Sequence, residues 1–270
     1  MEQKQSAIGV FDSGMGGLTV LRALRQTLPQ ESFIYLGDTA RLPYGTKSPA
    51  TVQQYAVQMA KVLVEQGIKA LVIACNTATT AALTHLQSIL PDMPVLGVVS
   101  PGAAAAIRAT KNHRIGVLAT ETTIAAKAYH NLIVEQLPQA LIQSRACSLL
   151  VALAEEGMVD NAIAQSVLNH YLDGFKDEDT ILLGCTHFPV FKPLLRAMLP
   201  PQVEIVDSAE STAEALTQLL AEKNLLNSSD KAGLTQYLVT DSIKRFQQVG
   251  ELFLNQTITK SDVILVDVHT

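Results

Sequence analysis

The sequence predicts an α/β protein whose sheets are parallel. Short runs of Val, Ile and Leu recur as continuous apolar blocks, helical patterns alternate with them, and small polar residues stand where the blocks end. The blocks fall at residues 8–11, 33–36, 70–74, 95–98, 115–118, 181–183, 203–206 and 237–239. Such blocks, apolar at every position, suit strands covered by helices on both faces. Between the second and third, Ser48 is suited to be a helix N-cap with Pro49 at the first helical position. Val52, Tyr55, Ala56, Met59, Ala60 and Leu63 then share one face before Gly67 ends the helix. Polar groups follow the strands as Asp12 and Ser13, Cys75 to Thr77, Ser100 and Pro101, Thr120, Cys185 and Thr186, and Asp207 and Ser208. Ligands of open α/β sheets bind in that crevice, beside helix N-termini whose free N–H groups attract anions.

With 270 residues and 29.0 kDa, the chain can bury roughly 73% of its unfolded surface. It is 48% hydrophobic and 17% charged, too apolar for a disordered chain. A formal charge of −5, with no long run of either sign, argues against nucleic acid as a partner. Asp12 interrupts the first apolar run, which excludes a signal peptide's hydrophobic region, and no apolar run approaches the ~20 residues of a membrane span. Three widely spaced cysteines do not make a disulfide framework. The expected compartment is the cytoplasm, where the thiols stay free.

Two of those thiols have similar settings. Ala-Cys-Asn-Thr-Ala-Thr at residues 74–79 and Gly-Cys-Thr-His-Phe-Pro at 184–189 each follow a buried strand, which hints at two related α/β lobes. Cysteine is commonly an inert core residue, and Cys147, which lacks such flanks, is read that way. Cys75 and Cys185 stand at predicted helix starts, where the adjacent N-terminus lowers a thiol's pKa from about 8.5 towards a thiolate. Zinc would need more ligands than Cys185 and His187 offer. A cysteine hydrolase using His187 as base leaves Cys75 without a task. Gly14-Met15-Gly16-Gly17 resembles the start of a dinucleotide fingerprint, with Asp38 near the ribose-acid position, but Thr19 replaces the third glycine. The glycines equally suit close backbone approach to a small anion. Asp12 is suited to cap a helix beginning near Gly16, Asp38 to orient neighbouring backbone, and His187 either to bond a carbonyl or to assist Cys185.

Two facing thiols suit inversion of a carbon stereocentre. A base on one side removes the proton and an acid on the other replaces it, and a thiol titrates near enough to neutrality to serve in either state.

Four stretches closely resemble the glutamate racemase family: residues 10–18 (VFDSGMGGL), 35–45 (YLGDTARLPYG), 74–79 (ACNTAT) and 184–189 (GCTHFP). Asp207-Ser208, then residues 237–242 with Arg245-Phe246, extend the likeness. The resemblance implies interconversion of L- and D-glutamate without a cofactor or metal, the D-isomer serving bacterial peptidoglycan. It implies two parallel-sheet lobes, residues 1–98 plus 208–270 and residues 99–207, with the substrate between them, and a homodimer. By the same resemblance Cys75 takes the α-proton of D-glutamate and Cys185 that of L-glutamate, with Asp12 and His187 as their respective auxiliaries. Ser13, Pro43, Tyr44, Gly45, Asn76, Thr77 and Thr186 match substrate-binding positions, as do Asp12 and His187. Residues 147–157 lack both prolines of the family pattern, at Ser148 and Ala152, so this segment is expected to be less constrained. Glu155 keeps the matching acidic position. Only seven residues precede the first strand, so activation by a cell-wall precursor is not expected. Siblings acting on aspartate or a hydantoin, and a non-catalytic amino-acid or nucleotide-binding module, are the competing readings.

Overall fold

A computed structural model describes residues 2–268. Its strands are β1 (Ile8–Asp12), β2 (Phe33–Gly37), β3 (Ala70–Ile73), β4 (Val95–Gly97), β5 (Arg114–Ala119), β6 (Leu141–Ala146), β7 (Thr180–Gly184), β8 (Glu204–Asp207), β9 (Thr235–Val239) and β10 (Val263–Leu265). The helices are α1 (Glu2–Gln5), α2 (Leu18–Thr27), α3 (Pro49–Glu65), α4 (Asn76–Ile89), α5 (Val99–Ala109), α6 (Glu121–Ala125), α7 (Ala128–Gln136), α8 (Ser148–Glu155), α9 (Ala162–Leu172), α10 (Lys192–Met198), α11 (Ala209–Glu222) and α12 (Ile243–Leu254).

Two parallel sheets result, in the orders β10-β9-β2-β1-β3-β4 and β6-β5-β7-β8. Both have helices on their faces, as the apolar blocks require. Ser48 caps α3 as its sequence suggests: its side chain accepts from the Thr51 N–H, Pro49 opens the first turn, and Gly67 follows with φ +74°. The buried face of α3 carries Val52, Ala56, Met59, Ala60 and Leu63 against the first sheet. Two strands escape the sequence reading, β6 and β10, and both are sheet edges.

In each sheet the chain reverses its direction of travel at the centre. β1 is flanked by β2 and β3, and β5 by β6 and β7, which makes the carboxyl ends of β1/β3 and β5/β7 the two switch points. These ends face each other: Asp12 and Thr77 beyond the first sheet bond to Thr186 and Thr120 beyond the second. Among the described residues no helix is long and apolar enough to cross a membrane.

Candidate active site

The first switch point presents Asp12, Ser13 and Cys75. Asp12 ends β1 wholly buried, and its Oδ2 accepts from the N–H groups of Gly14 (3.1 Å) and Gly17 (3.0 Å). α2 begins at Leu18 with Gly17 as its cap residue, so Asp12 is not the formal N-cap but still satisfies amides leading into the helix. Cys75 is the N-cap of α4, and its Sγ accepts from the Ala78 N–H (3.4 Å) and donates to Ser13 Oγ (3.6 Å).

The expectation of a thiolate here is corrected. Burial pushes the Cys75 thiol up to about 12 and the Asp12 carboxylate adds to the rise, outweighing the bonds from Ala78 and Ser13. A helix N-terminus cannot offset the loss of water around a thiol that is 4% exposed. Burial likewise raises Asp12 above the ordinary carboxyl range, against the attraction of His187 and the N–H bonds of Gly17 and Gly14.

Beyond the second switch point, Cys185 is 6% exposed and is not a helix cap; the chain runs through Thr186 and His187 into a 3₁₀ turn (Phe188–Phe191) before α10. His187 Nδ1 lies 3.9 Å from Cys185 Sγ, and its Nε2 lies 2.7 Å from Glu155 Oε1, at the end of α8. Burial opposes charge on this imidazole, but the bonds to Cys185 and Glu155 prevail and raise it to about 10. The segment lacking the family's prolines forms a regular helix, with Leu150, Val151, Leu153 and Ala154 buried and Glu155 delivered to His187. Arg245 of α12 closes the far side, donating to the Glu155 carbonyl (3.2 Å) and pairing with Glu156 Oε1 (3.0 Å).

Bonds between the two sheets unite these groups. Thr186 Oγ1 donates to Asp12 Oδ1 (3.3 Å) and Thr19 Oγ1 to the Thr186 carbonyl (3.2 Å). Thr77 and Thr120 hydroxyls meet at 2.9 Å, and Thr120 meets Thr123 at 3.1 Å. Tyr129 of α7 donates to Asn76 Oδ1 (2.5 Å). Thr122 Oγ1 donates to the carbonyls of Gly45 (3.0 Å) and Lys47 (3.2 Å).

The remaining expected residues divide. Gly45 backs onto Thr120, whose Cβ would stand 2.7 Å from a Cβ at residue 45. The Tyr44 side chain turns away to the buried Asp38, which also accepts from Arg41 Nε (2.7 Å) and Thr240 Oγ1 (3.0 Å). Asp38 thus orients its surroundings. Pro43 is exposed, joined to Leu42 by a cis bond, and makes no polar contact with the cluster.

The glycine loop has a packing role. A Cβ at Gly16 would stand 2.6 Å from Thr186 Oγ1 and 2.7 Å from His187 Cε1, and one at Gly17 would stand 2.5 Å from Asp12 Cβ. These glycines let the first sheet's loop close upon Cys185's neighbours. Cys147 is buried, donates to the Arg145 carbonyl (3.4 Å), and keeps a packing role. Among the described residues no group of three or more His, Cys, Asp or Glu side chains is placed to hold a metal ion.

A family model described as Asp/Glu/Hydantoin racemase matches residues 8–216. The chain belongs to that family. Within it, a glutamate racemase of Geobacter metallireducens is 46% identical over 250 residues, 92% of each chain. The glutamate racemase structure from Francisella tularensis, in complex with D-glutamate, superposes with a TM-score of 0.91 at 38% identity, covering 98% of this chain and 99% of that one. Isoform RacE1 from Bacillus anthracis gives 0.92 at 38%, covering 98% of both. Arg245 lies in a stretch that extends the likeness, but its contact with Glu155, like the buried Tyr129, is missed by the sequence reading. Neither contact carries a local signal, since both residues reach the site from α-helices remote in sequence.

Proposed function

We propose that the protein interconverts L- and D-glutamate by moving the α-proton between two thiols. In the D-to-L direction Cys75 Sγ, as thiolate, takes the proton: the Cα–H bond breaks, an S–H bond forms, and its electron pair is held on the substrate's α-carbon and carboxylate. Cys185 then gives its own proton to the opposite side of that carbon. In the L-to-D direction the roles exchange. His187, standing between Cys185 and Glu155, relays and holds a proton for Cys185, while Asp12 does so beside Cys75.

The observation that carries this reading is the cluster itself: two buried thiols, each beyond a central strand of its own sheet, each with a titratable partner, joined through Thr186 and Asp12. Identity of 46% to a glutamate racemase, and the D-glutamate bound to a close structural relative, support glutamate as substrate. The ammonium group of bound glutamate would add positive charge beside Cys75 and favour the thiolate. Residues 1–98 with 208–270 form one lobe and 99–207 the other in this reading, in keeping with the division of strands between sheets. A cytoplasmic homodimer making D-glutamate for peptidoglycan completes it.

The test is incubation with L-glutamate in D₂O. The α-proton signal should vanish as D-glutamate appears, with added pyridoxal phosphate making no difference, and Cys75→Ser or Cys185→Ser should lose about 10²–10⁴-fold. Absence of α-exchange by the intact protein overturns the proposal.

A further inference from the structure

Tyr129 has no part in the chemistry above, yet it reaches the candidate site from the other sheet's side. Its ring is 2% exposed and belongs to the same buried cluster as Ala103, Ala119 and Leu182. Two glycines make room for it. A Cβ at Gly184 would stand 2.7 Å from Tyr129 Cε2, and one at Gly102 would stand 3.0 Å from its hydroxyl oxygen. Burial raises the phenol's pKa above its ordinary value, so the group stays protonated and donates. Its acceptor is Asn76 Oδ1, at 2.5 Å.

An amide has a carbonyl end that accepts and an NH₂ end that donates, and the two differ little in shape. Asn76, 2% exposed, directly follows Cys75, and its Nδ2 is buried without a hydrogen-bond partner among the described residues. An unpaired buried donor is destabilising, and its retention next to the Cys75 thiol marks a place kept for a ligand acceptor. The hydroxyl decides which end is free. Bound to Oδ1, it leaves the NH₂ group as the only end available, and a donor there suits a carboxylate and repels an ammonium.

We infer that Tyr129 is a positioning residue: it fixes the orientation of the Asn76 amide so that Nδ2 donates to a carboxylate of the bound amino acid. This rests on the glutamate reading. Because Tyr129 and Asn76 lie beyond different sheets, the same bond makes carboxylate recognition depend on the sheets being closed upon each other.

The experiment is a double-mutant cycle on KM for glutamate, with the intact protein as the first arm and thermal unfolding measured in parallel. Tyr129→Phe keeps the ring between Gly102 and Gly184 and removes only the hydroxyl. It should raise KM about 3- to 10-fold, the range of one hydrogen bond, with kcat altered less than KM. In an Asn76→Ala background the same change should alter KM less than about twofold, because the amide through which it acts is gone. Asn76→Asp, which still accepts from Tyr129 but presents a negative oxygen, should raise KM more than Asn76→Ala does. Additive effects of Tyr129→Phe and Asn76→Ala, or an Asn76→Asp enzyme with wild-type KM, overturn the inference while leaving glutamate racemisation intact. An unmutated protein that turns over no glutamate removes the underlying reading, and this inference with it.

Discussion

Gly16→Ala tests whether the glycine loop serves closure around His187. The added methyl would stand 2.6 Å from Thr186 Oγ1 and 2.7 Å from His187 Cε1, where ordinary contact begins at 3.4 Å. His187 Nδ1 would be nearer still, so the loop and the His187 segment must separate by about 1 Å. Neither partner is free to turn aside: Thr186 Oγ1 is bonded to Asp12, and the imidazole is held between Cys185 and Glu155. The Cys185–His187 contact is already long at 3.9 Å, so a shift of this size uncouples them. Misplacement by about 1 Å can reduce turnover about 100-fold, and overpacking costs about 1–3 kcal/mol of stability. α-Proton exchange in D₂O and thermal unfolding measure the two effects. Wild-type exchange by a folded Gly16→Ala protein would refute the argument, as it would show that the loop does not bear on His187.

Three further outcomes follow from the same contacts. His187 is raised from 6.5 to about 10, so the stability it contributes is present below pH 6.5 and lost as pH rises towards 10. Between pH 7 and 9 the stability of the wild type should therefore fall more steeply with rising pH than that of His187→Gln in denaturant titrations; parallel slopes contradict the assigned partners. Cys75 is pushed up to about 12, so without substrate it should react slowly with a small alkylating agent at pH 7, and faster as pH rises above 9; rapid labelling at neutral pH, followed by peptide mapping, counts against its burial. Lys69→Met strands the buried Glu31 carboxylate, which Lys69 pairs while also donating to the Lys4 and Leu225 carbonyls. About 3–5 kcal/mol should be lost, measured by chemical denaturation, with residual exchange activity per folded molecule unchanged.

Interior strands were legible because burial on both faces demands uninterrupted apolar runs, as in residues 70–73, wholly buried between β1 and β4. The edge strand β6 hides its identity. Gln143, Ser144 and Arg145 are admissible there because one side lacks a neighbour and the strand is largely open to solvent. β10, with Ile264 and Leu265 exposed, is short and lies at the other sheet's edge. The strand-end positions of Asp12, Cys75, Thr120 and Cys185 could be read from local pattern, since a switch point gathers the residues that follow its strands. Their ionisation could not. Cys75 looks activated from its helix start alone, whereas its pKa is governed by burial and by Asp12, which comes from another strand. Glu155 was reached only by resemblance, because its contact with His187 spans two helical segments, and Tyr129 reads as an ordinary helix residue until Gly102 and Gly184 are seen around it.

The most direct measurement is a crystal structure of Cys75→Ser with D-glutamate bound. The account predicts the α-carbon between the hydroxyl oxygen introduced at position 75 and Cys185 Sγ, one on each side of the plane of its three non-hydrogen substituents, with both within about 4 Å, the outer limit of close heavy-atom contact. Both groups on one side of that plane, or a ligand seated beyond reach of either, would contradict it.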